Sequence, residues 1–378
     1  MFDQLDDNER PAPRPAPRTT PSRRLRRTWL VAASAGLTML ALAGAPASTY
    51  AAQHASATHL ASVSTAKASA TKCSRSCMTR IVDKILKSMV WHDPDIVPLA
   101  DEYQATENSH PAALPMMTLW RTVTGLGLTS SGDPDLLAID TVNSSAYFAL
   151  DINEGKKSKK SVLWGRIKVV DKQVTELELY VNRSRGDHGF SFSASELSKN
   201  YKQWMSPPKG REKASRADLE SLSEATFDPS SSFDVDVASD CQFTEVGWHV
   251  VDPGPDGTGT TEPLGCNWPT GRPHDDNART DLVIDKKLGI VVTGAIIPGK
   301  VYGYGTDSAF IPDDMTEAQE AEQEWIDNKV AEGGTPVLQP TAASGETLQV
   351  LQYYNGKLQG QQINLYLSGP DMQSAWTQ

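Results

Sequence analysis

Hydrophobic and polar positions alternate with two different periods along the chain. Between Met78 and Val90 apolar side chains recur at i, i+3, i+4 and i+7, which is the spacing of one face of an α-helix. Pro94 follows and disfavours helical geometry at Asp93, so the helix is expected to end there. This is the strongest helical pattern in the sequence.

The rest of the first half has the period of a β-strand. Residues 144–152, 161–170 and 174–183 are rich in β-branched and aromatic residues that alternate with polar ones. Only three residues separate the last two segments, which predicts a hairpin. In the last segment the leucines and the glutamates are expected on opposite faces. A helix followed by antiparallel strands predicts an α+β fold.

A similar order of patterns begins again at Ser215, a candidate N-cap for a short helix. Extended segments follow, and Asn355-Gly356 between two alternating stretches is a strong hairpin signal. Residues 315–330 are expected to form an acidic helix that lies on the surface or acts as a lid. The ending Leu-Tyr-Leu-Ser at 365–368 also echoes Leu-Tyr-Val-Asn at 179–182.

Each half also places a Thr-Glu pair in an extended segment, at Thr106-Glu107 and at Thr244-Glu245. We therefore predict two tandem domains, residues 73–197 and 215–378, joined by a basic, proline-containing connection at 198–214. A chance echo between short strands is the alternative.

The N-terminal segment, residues 1–52, differs from the rest. A region rich in proline and arginine precedes an apolar run from Trp29 to about Ala47 and then small residues. This order is typical of a secretory signal peptide, so the segment is excluded from the fold. The run is also close to the length that spans a bilayer, and an uncleaved membrane anchor is the alternative. Residues 53–72, rich in Ala, Ser and Thr, are predicted to be a linker.

Composition narrows the class of protein. The 378 residues are 39% hydrophobic and 22% charged, with a net charge of −11. These values fit a soluble globular protein. The negative sign argues against nucleic acid and anionic membranes as partners, so membrane contact is expected only through an N-terminal anchor.

Four cysteines lie beyond the signal. An even number in an exported chain predicts disulfides, with three possible connectivities. We favour pairing between neighbours in sequence, because each pair then lies within one predicted domain. A zinc site is the rival, but the spacing fits no compact thiolate cage, and no metal is expected. The cysteines are Cys73, Cys77, Cys241 and Cys266.

Twelve residues of the first half match a pattern found in secreted fungal and bacterial proteins. They are Cys73, Cys77, His92, Asp93, Pro94, Leu99, Ala100, Thr106, Glu107, Asn108, Leu119 and Trp120. Together they resemble a secreted domain of unknown function that is similar to the nuclear-transport-factor-2-like and SnoaL-like superfamily. The second half matches less well, through Asp240, Cys241, Glu245 and Cys266. The family's usual Gly after Thr-Glu-Asn is Ser109 here.

The resemblance implies a cone in each domain, formed by a curved antiparallel sheet wrapped around a helix, with the two domains packed on each other. It implies a fold and not a reaction. At the mouth of such a cone Glu107 would have a raised pKa and serve as a general base, with Asp101 as a second carboxylate. The alternatives are that Glu107 caps a turn and that Asp101 is solvated.

Other candidates for a ligand site are polar or aromatic. Thr106, Asn108 and Glu245 are expected at the pocket entrances, and Trp120 and Tyr147 on the walls. Large aromatic side chains at a boundary between sheet and helix are also typical of plain core. No nucleotide-binding loop, nucleophile elbow or metalloprotease motif is present, so no cofactor is expected.

The leading hypothesis is a secreted protein that binds a small organic molecule in a cone-shaped pocket. The first alternative is a cofactor-independent lyase or isomerase that uses Glu107 as its base. The second is an interaction module of the cell envelope without pocket chemistry.

Overall fold

The computed structural model describes residues 72–183, 197–245, 248–249, 265–266, 268, 273–304 and 307–376. The predicted export segment and nearly all of the predicted linker at 53–72 lie outside these ranges. In the part described, no helix is long and apolar enough to cross a bilayer. The described elements combine helices and sheets, so the α+β prediction is confirmed.

We call residues 72–183 the first lobe. Its α-helices are α1 (Arg75–Trp91) and α2 (Thr118–Thr122). Its strands are β1 (Leu99–Glu107), β2 (His110–Pro111), β3 (Val123–Gly127), β4 (Leu136–Asp140), β5 (Ser145–Glu154), β6 (Lys159–Val170) and β7 (Gln173–Asn182).

Helix α1 begins and ends with regular caps. The side chain of Ser74 accepts a hydrogen bond from Cys77 N, and His92 stops the helix in the left-handed region at φ 54°. The helical face predicted from the sequence is the buried one, and it packs against the sheet of the first lobe.

The first sheet has the strand order β2-β1-β7-β6-β5-β3, with β4 also pairing with β5. Strand β1 is parallel to β7, while β6 and β7 form the predicted antiparallel hairpin. The hairpin turns at Asp171 and Lys172, both at positive φ, as a two-residue turn of this kind requires. Leu177 and Leu179 face α1, and Glu178 lies on the other face.

A further helix, α3 (Leu197–Met205), precedes residues 215–376, which we call the second lobe. The helices of that lobe are α4 (Arg216–Ala225) and α5 (Thr316–Ala331). Its strands are β8 (Asp236–Glu245), β9 (Trp248–His249), β10 (Arg279–Asp285), β11 (Ile290–Tyr304), β12 (Asp307–Pro312), β13 (Pro336–Tyr354), β14 (Lys357–Ile363) and β15 (Leu365–Ser368).

The second sheet has the order β9-β8-β14-β13-β11-β10, with β12 and β15 added to β11 and β13. This order repeats that of the first sheet, including the parallel pairing of the first long strand, β8, with β14. Thr106 lies opposite Glu178 in the first sheet, and Thr244 lies opposite Gln362 in the second. The echo at 365–368 differs from this register, because those residues form the separate strand β15.

The two sheets pack against each other through one face each. The core between them combines Tyr147, Trp164 and Tyr180 of the first sheet with apolar residues such as Val292 and Leu348 of the second. Helix α1 covers the other face of the first sheet, and α4 packs on the other face of the second.

Helix α3 covers the first part of the connection predicted at 198–214. Leu197, Tyr201 and Trp204 are fully buried in the core between the sheets. This apolar stripe is hard to recognise in the sequence, because polar residues surround the aromatic ones and two prolines follow at 207–208. The second lobe confirms two local predictions, because Ser215 forms a capping box and the acidic helix is present as α5.

Two reciprocal ion pairs join the lobes. Arg75, the first residue of α1, donates to Asp285 at the end of β10 over 2.6 Å. Arg216, the first residue of α4, donates to Asp140 at the end of β4 over 3.0 and 3.2 Å. Each aspartate is at most 1% exposed.

Each aspartate also binds a backbone N–H of the opposite lobe. Ile139 N donates to Asp285 over 2.9 Å, and Ile284 N donates to Asp140 over 3.3 Å. Contacts exchanged in this way are typical of an interface with two-fold symmetry.

Each disulfide joins two cysteines that are consecutive among the four of the chain, as predicted. They are Cys73–Cys77 and Cys241–Cys266. The four thiols are therefore not available as zinc ligands. Two such bonds fit an extracellular protein, since the cytosol keeps thiols reduced.

Candidate functional site

Glu107 is held by backbone donors at the end of β1. One carboxylate oxygen accepts from Thr118 N and the other from Leu119 N, both over 2.7 Å. These N–H groups begin α2 and have no partner inside the helix. Arg183 lies 3.8 Å from the same carboxylate. This geometry matches the capping alternative.

The neighbours of Glu107 form a tight turn. Asn108 and Ser109 have φ of 51° and 60° and connect β1 to β2. Asn108 is buried, and its side-chain oxygen accepts from Val181 N over 3.0 Å. Thr106 is fully buried. The Thr-Glu-Asn motif thus fastens the hairpin to β7.

Asp101 is not placed beside Glu107. It is exposed on the same strand, six residues away, which corresponds to about 20 Å of extended chain. The two carboxylates therefore cannot divide an acid and a base role between them.

The predicted aromatic wall residues lie in packed surroundings. Trp120 is 8% exposed and makes an edge contact with His92, with ring centroids 5.4 Å apart. Tyr147 is fully buried between the sheets, where its hydroxyl accepts from the side-chain amide of Asn364 over 2.7 Å.

Glu245 occupies the position in the second sheet that Glu107 occupies in the first. It ends β8 beside the hairpin to β9, and burial raises its pKa to about 7. In the turn that precedes β10, Asp275 accepts a hydrogen bond from Asn277 N over 2.8 Å.

A cleft of about 1160 Å³ opens at one end of the interface between the sheets. Both sheets and the segment after β15 supply its walls. Its lining includes Gln104, Arg166, Lys168, Asn277, Arg279 and Trp376.

A buried ion-pair network joins the two sheets behind this cleft. Arg279 donates to both oxygens of Glu178 over 2.7 and 3.0 Å, and Arg166 Nε donates to Glu178 over 2.6 Å. Arg166 Nη1 also donates to Glu176 over 2.6 Å. Burial acts to raise the pKa of Glu178, but the two guanidinium groups outweigh it and lower that pKa to about 2.

An aromatic ring lies on the cationic side of this network. The indole of Trp376 has its centroid 4.8 Å from Arg166 Cζ and 5.9 Å from Arg279 Cζ, within the range of cation–π contacts. Burial also raises the pKa of Asp281, on the cleft wall, to about 6.

The arginines of this network were not among the residues predicted from the sequence. One signal was present, because Arg166 and Lys168 alternate with apolar residues on a strand that pairs with Glu176 and Glu178. Opposite charges on one face of a hairpin indicate a cross-strand ion pair. No local pattern connects Arg279 to them.

Comparisons with known proteins leave the family open. No protein-family model matches the chain, and no curated protein matches it. Among solved structures, a de novo designed protein with a curved β-sheet aligns with 29% of this chain and 88% of that chain, at 12% identity and a TM-score of 0.23. A TM-score of that size carries no argument.

Proposed function

We propose that the protein is a secreted binding protein that holds a small polar organic molecule in the cleft between its two sheets. The observation that carries the proposal is the cleft itself, with its volume of about 1160 Å³ and hydrogen-bonding side chains from both lobes. Pockets of this kind fix a ligand through a few well-placed polar groups.

The wall chemistry favours a ligand with both donors and acceptors. Lys168 supplies donors, Asp281 supplies an acceptor, and the side-chain amides of Gln104 and Asn277 supply both. Because charges of both signs are present, a neutral hydroxylated or zwitterionic molecule fits better than a simple anion.

We further propose that the two lobes are copies of one curved-sheet fold, of the SnoaL-like kind that the first half resembles. The repeated strand order and the reciprocal Arg–Asp pairs support this. The site then lies between the copies, whereas the sequence predicted a pocket inside each. The two backbone donors on Glu107 weigh against its use as a general base.

Thermal unfolding of the full chain tests the binding proposal. A panel of monosaccharides, disaccharides and amino acids is added one at a time, and a bound compound raises the melting temperature through linkage. Lys168→Met is expected to abolish the rise. Lys87→Met, which removes a lysine from the surface of α1, is the matched control and leaves it intact. A panel without any rise, or a rise that Lys168→Met does not change, would contradict the proposal.

A further inference from the structure

The two guanidinium groups at the cleft donate hydrogen bonds from N–H groups at their edges to glutamates. Their flat faces remain available for stacking. Arg166 directs Nε and Nη1 at Glu178 and Glu176, and Arg279 directs Nη1 and Nη2 at Glu178. An anionic ligand needs those edges for paired hydrogen bonds. A planar ring needs only the faces. The two cations are therefore arranged for a ring rather than for a carboxylate or a phosphate.

These faces are held rigidly before any ring arrives. Glu178 is fully buried and the Arg166 side chain is 4% exposed. The Arg279 side chain is 17% exposed, where it reaches the cleft. The carboxylates fix both guanidinium planes and balance their charge. The free-energy cost of ordering the arginine side chains when a ring binds is therefore small, because the site is preorganised.

The ring of Trp376 lies over these two guanidinium groups, and its surroundings differ from those of the core tryptophans. Trp164 stacks on Tyr180 with centroids 4.1 Å apart, and its N–H donates to Asn182. Trp376 is also buried, at 8% exposed, yet it belongs to none of the four apolar clusters. Its ring rests on two cations.

The segment that carries Trp376 lies outside both sheets. Residues 369–376 follow β15 and begin with Gly369-Pro370. Proline lacks the N–H that would be needed to continue the ladder of hydrogen bonds. The hydrogen bonds that tie it to the sheets include Met372 N to the hydroxyl of Ser344 and the Gln104 amide to the carbonyl of Ala375. An irregular segment that follows a strand is expected to open more easily than a central strand does.

We infer that Arg166 and Arg279 form a binding site for a planar aromatic ring, which the chain's own Trp376 occupies here and which a ring-bearing ligand takes over. The inference rests on the proposed function, since it assigns a ring to the ligand of the same cleft. Residues 369–376 then act as an in-chain competitor that leaves when the ligand enters.

The full chain with Trp376→Ala tests the site directly. Indole is the probe, and cyclohexanol, a ring without a π face, is its control. Indole is expected to raise the melting temperature of the variant, while cyclohexanol leaves it unchanged. A double variant that also contains Arg279→Lys keeps the positive charge but lacks the planar guanidinium group. It is expected to bind indole about three- to tenfold more weakly. Equal effects of the two probes, or no effect of either, would overturn the inference.

Amide exchange of the wild-type chain tests the release of the segment and does not depend on the variant folding. Met372 N–H is expected to exchange orders of magnitude faster than Leu351 N–H in β13. Equal protection would show that residues 369–376 do not leave. The saccharide and amino acid panel is run separately on the wild type, so failure of the binding proposal is distinguishable from failure of the ring site.

Discussion

The interface between the sheets has two ends that correspond through the shared strand order, and they are built from different chemistry. In the first sheet the residue opposite Thr106 is Glu178, whose partner on β6 is Arg166. In the second sheet the residue opposite Thr244 is Gln362. Its partner on β13 is the apolar Val350.

A tryptophan from the segment after the opposite sheet covers each end. Trp204 of α3, which follows the first sheet, lies so close to Gly360 of β14 that a Cβ there would be 2.5 Å from the indole. Trp376, which follows the second sheet, lies over Arg166. The first cover is a helix in an apolar core, and the second is an irregular segment on charged groups. Corresponding positions of the two sheets are thus a closed end and an open end.

The largest expected difference comes from the two covers. Trp204→Ala leaves a cavity in the apolar core, and we expect a loss of about 3–5 kcal/mol in the free energy of unfolding. Trp376→Ala removes cation–π contacts, with an expected loss of about 1–2 kcal/mol. Urea titration of both variants measures the difference. Equal losses would show that the two ends are equally structural.

The second comparison concerns the residues opposite the threonines. Glu178→Gln leaves two buried guanidinium groups without their carboxylate, and we expect a loss of about 3 kcal/mol at neutral pH. Because the pKa of Glu178 is lowered to about 2 from 4.5, its contribution is present above about pH 4.5 and is lost as the pH falls toward 2. Unfolding curves of both proteins are expected to converge in acid, and a constant gap would contradict this.

The reciprocal ion pairs provide a test of similarity. Arg75→Ala and Arg216→Ala each leave a buried aspartate with fewer donors, and we expect losses of about 2 kcal/mol for both. Lys87→Ala breaks an exposed pair with Asp83 and is the control, with an expected loss below about 0.5 kcal/mol. A large effect at only one arginine would show that the two contacts are not equivalent.

The last comparison concerns the carboxylate that ends β8. Burial raises the pKa of Glu245 to about 7, so its contribution to stability is fully present below about pH 4.5 and is lost as the pH rises through 7. Glu245→Gln is expected to flatten this decline between about pH 5 and pH 8. Stability curves against pH, measured for the wild type and for Glu245→Gln, test this, and parallel curves would contradict it.

Local patterns in the sequence were enough for most elements. The 3.6-residue period identified α1, and the alternation in residues 161–183 identified β6, β7 and the face that carries Glu178. Ser215 and Asn355-Gly356 marked a helix start and a hairpin correctly. Each of these signals acts between near neighbours in the chain.

The candidate site needed contacts that no local pattern contains. Arg166 and Arg279 meet only because the sheets pack face to face, and Trp376 reaches them from the far end of the chain. Some signals were nevertheless repeated in both halves. A Ser-Arg pair begins α1 and α4, and Leu-x-Ile-Asp ends β4 and β10. These two repeats include the residues of both reciprocal Arg–Asp contacts. They support the proposed duplication more directly than the Thr-Glu pairs do.

The disulfide at the start of α1 closes a loop that contains one of the two arginines of the reciprocal ion pairs. Cys73 and Cys77 bridge over Arg75, whereas Arg216 is positioned by the capping box of Ser215 and Asp218. The disulfide therefore constrains the backbone on both sides of Arg75, whereas hydrogen bonds of the capping box constrain the backbone at Arg216. One of the two reciprocal contacts is thus supported by a covalent bond that needs an oxidising compartment, and the other is not.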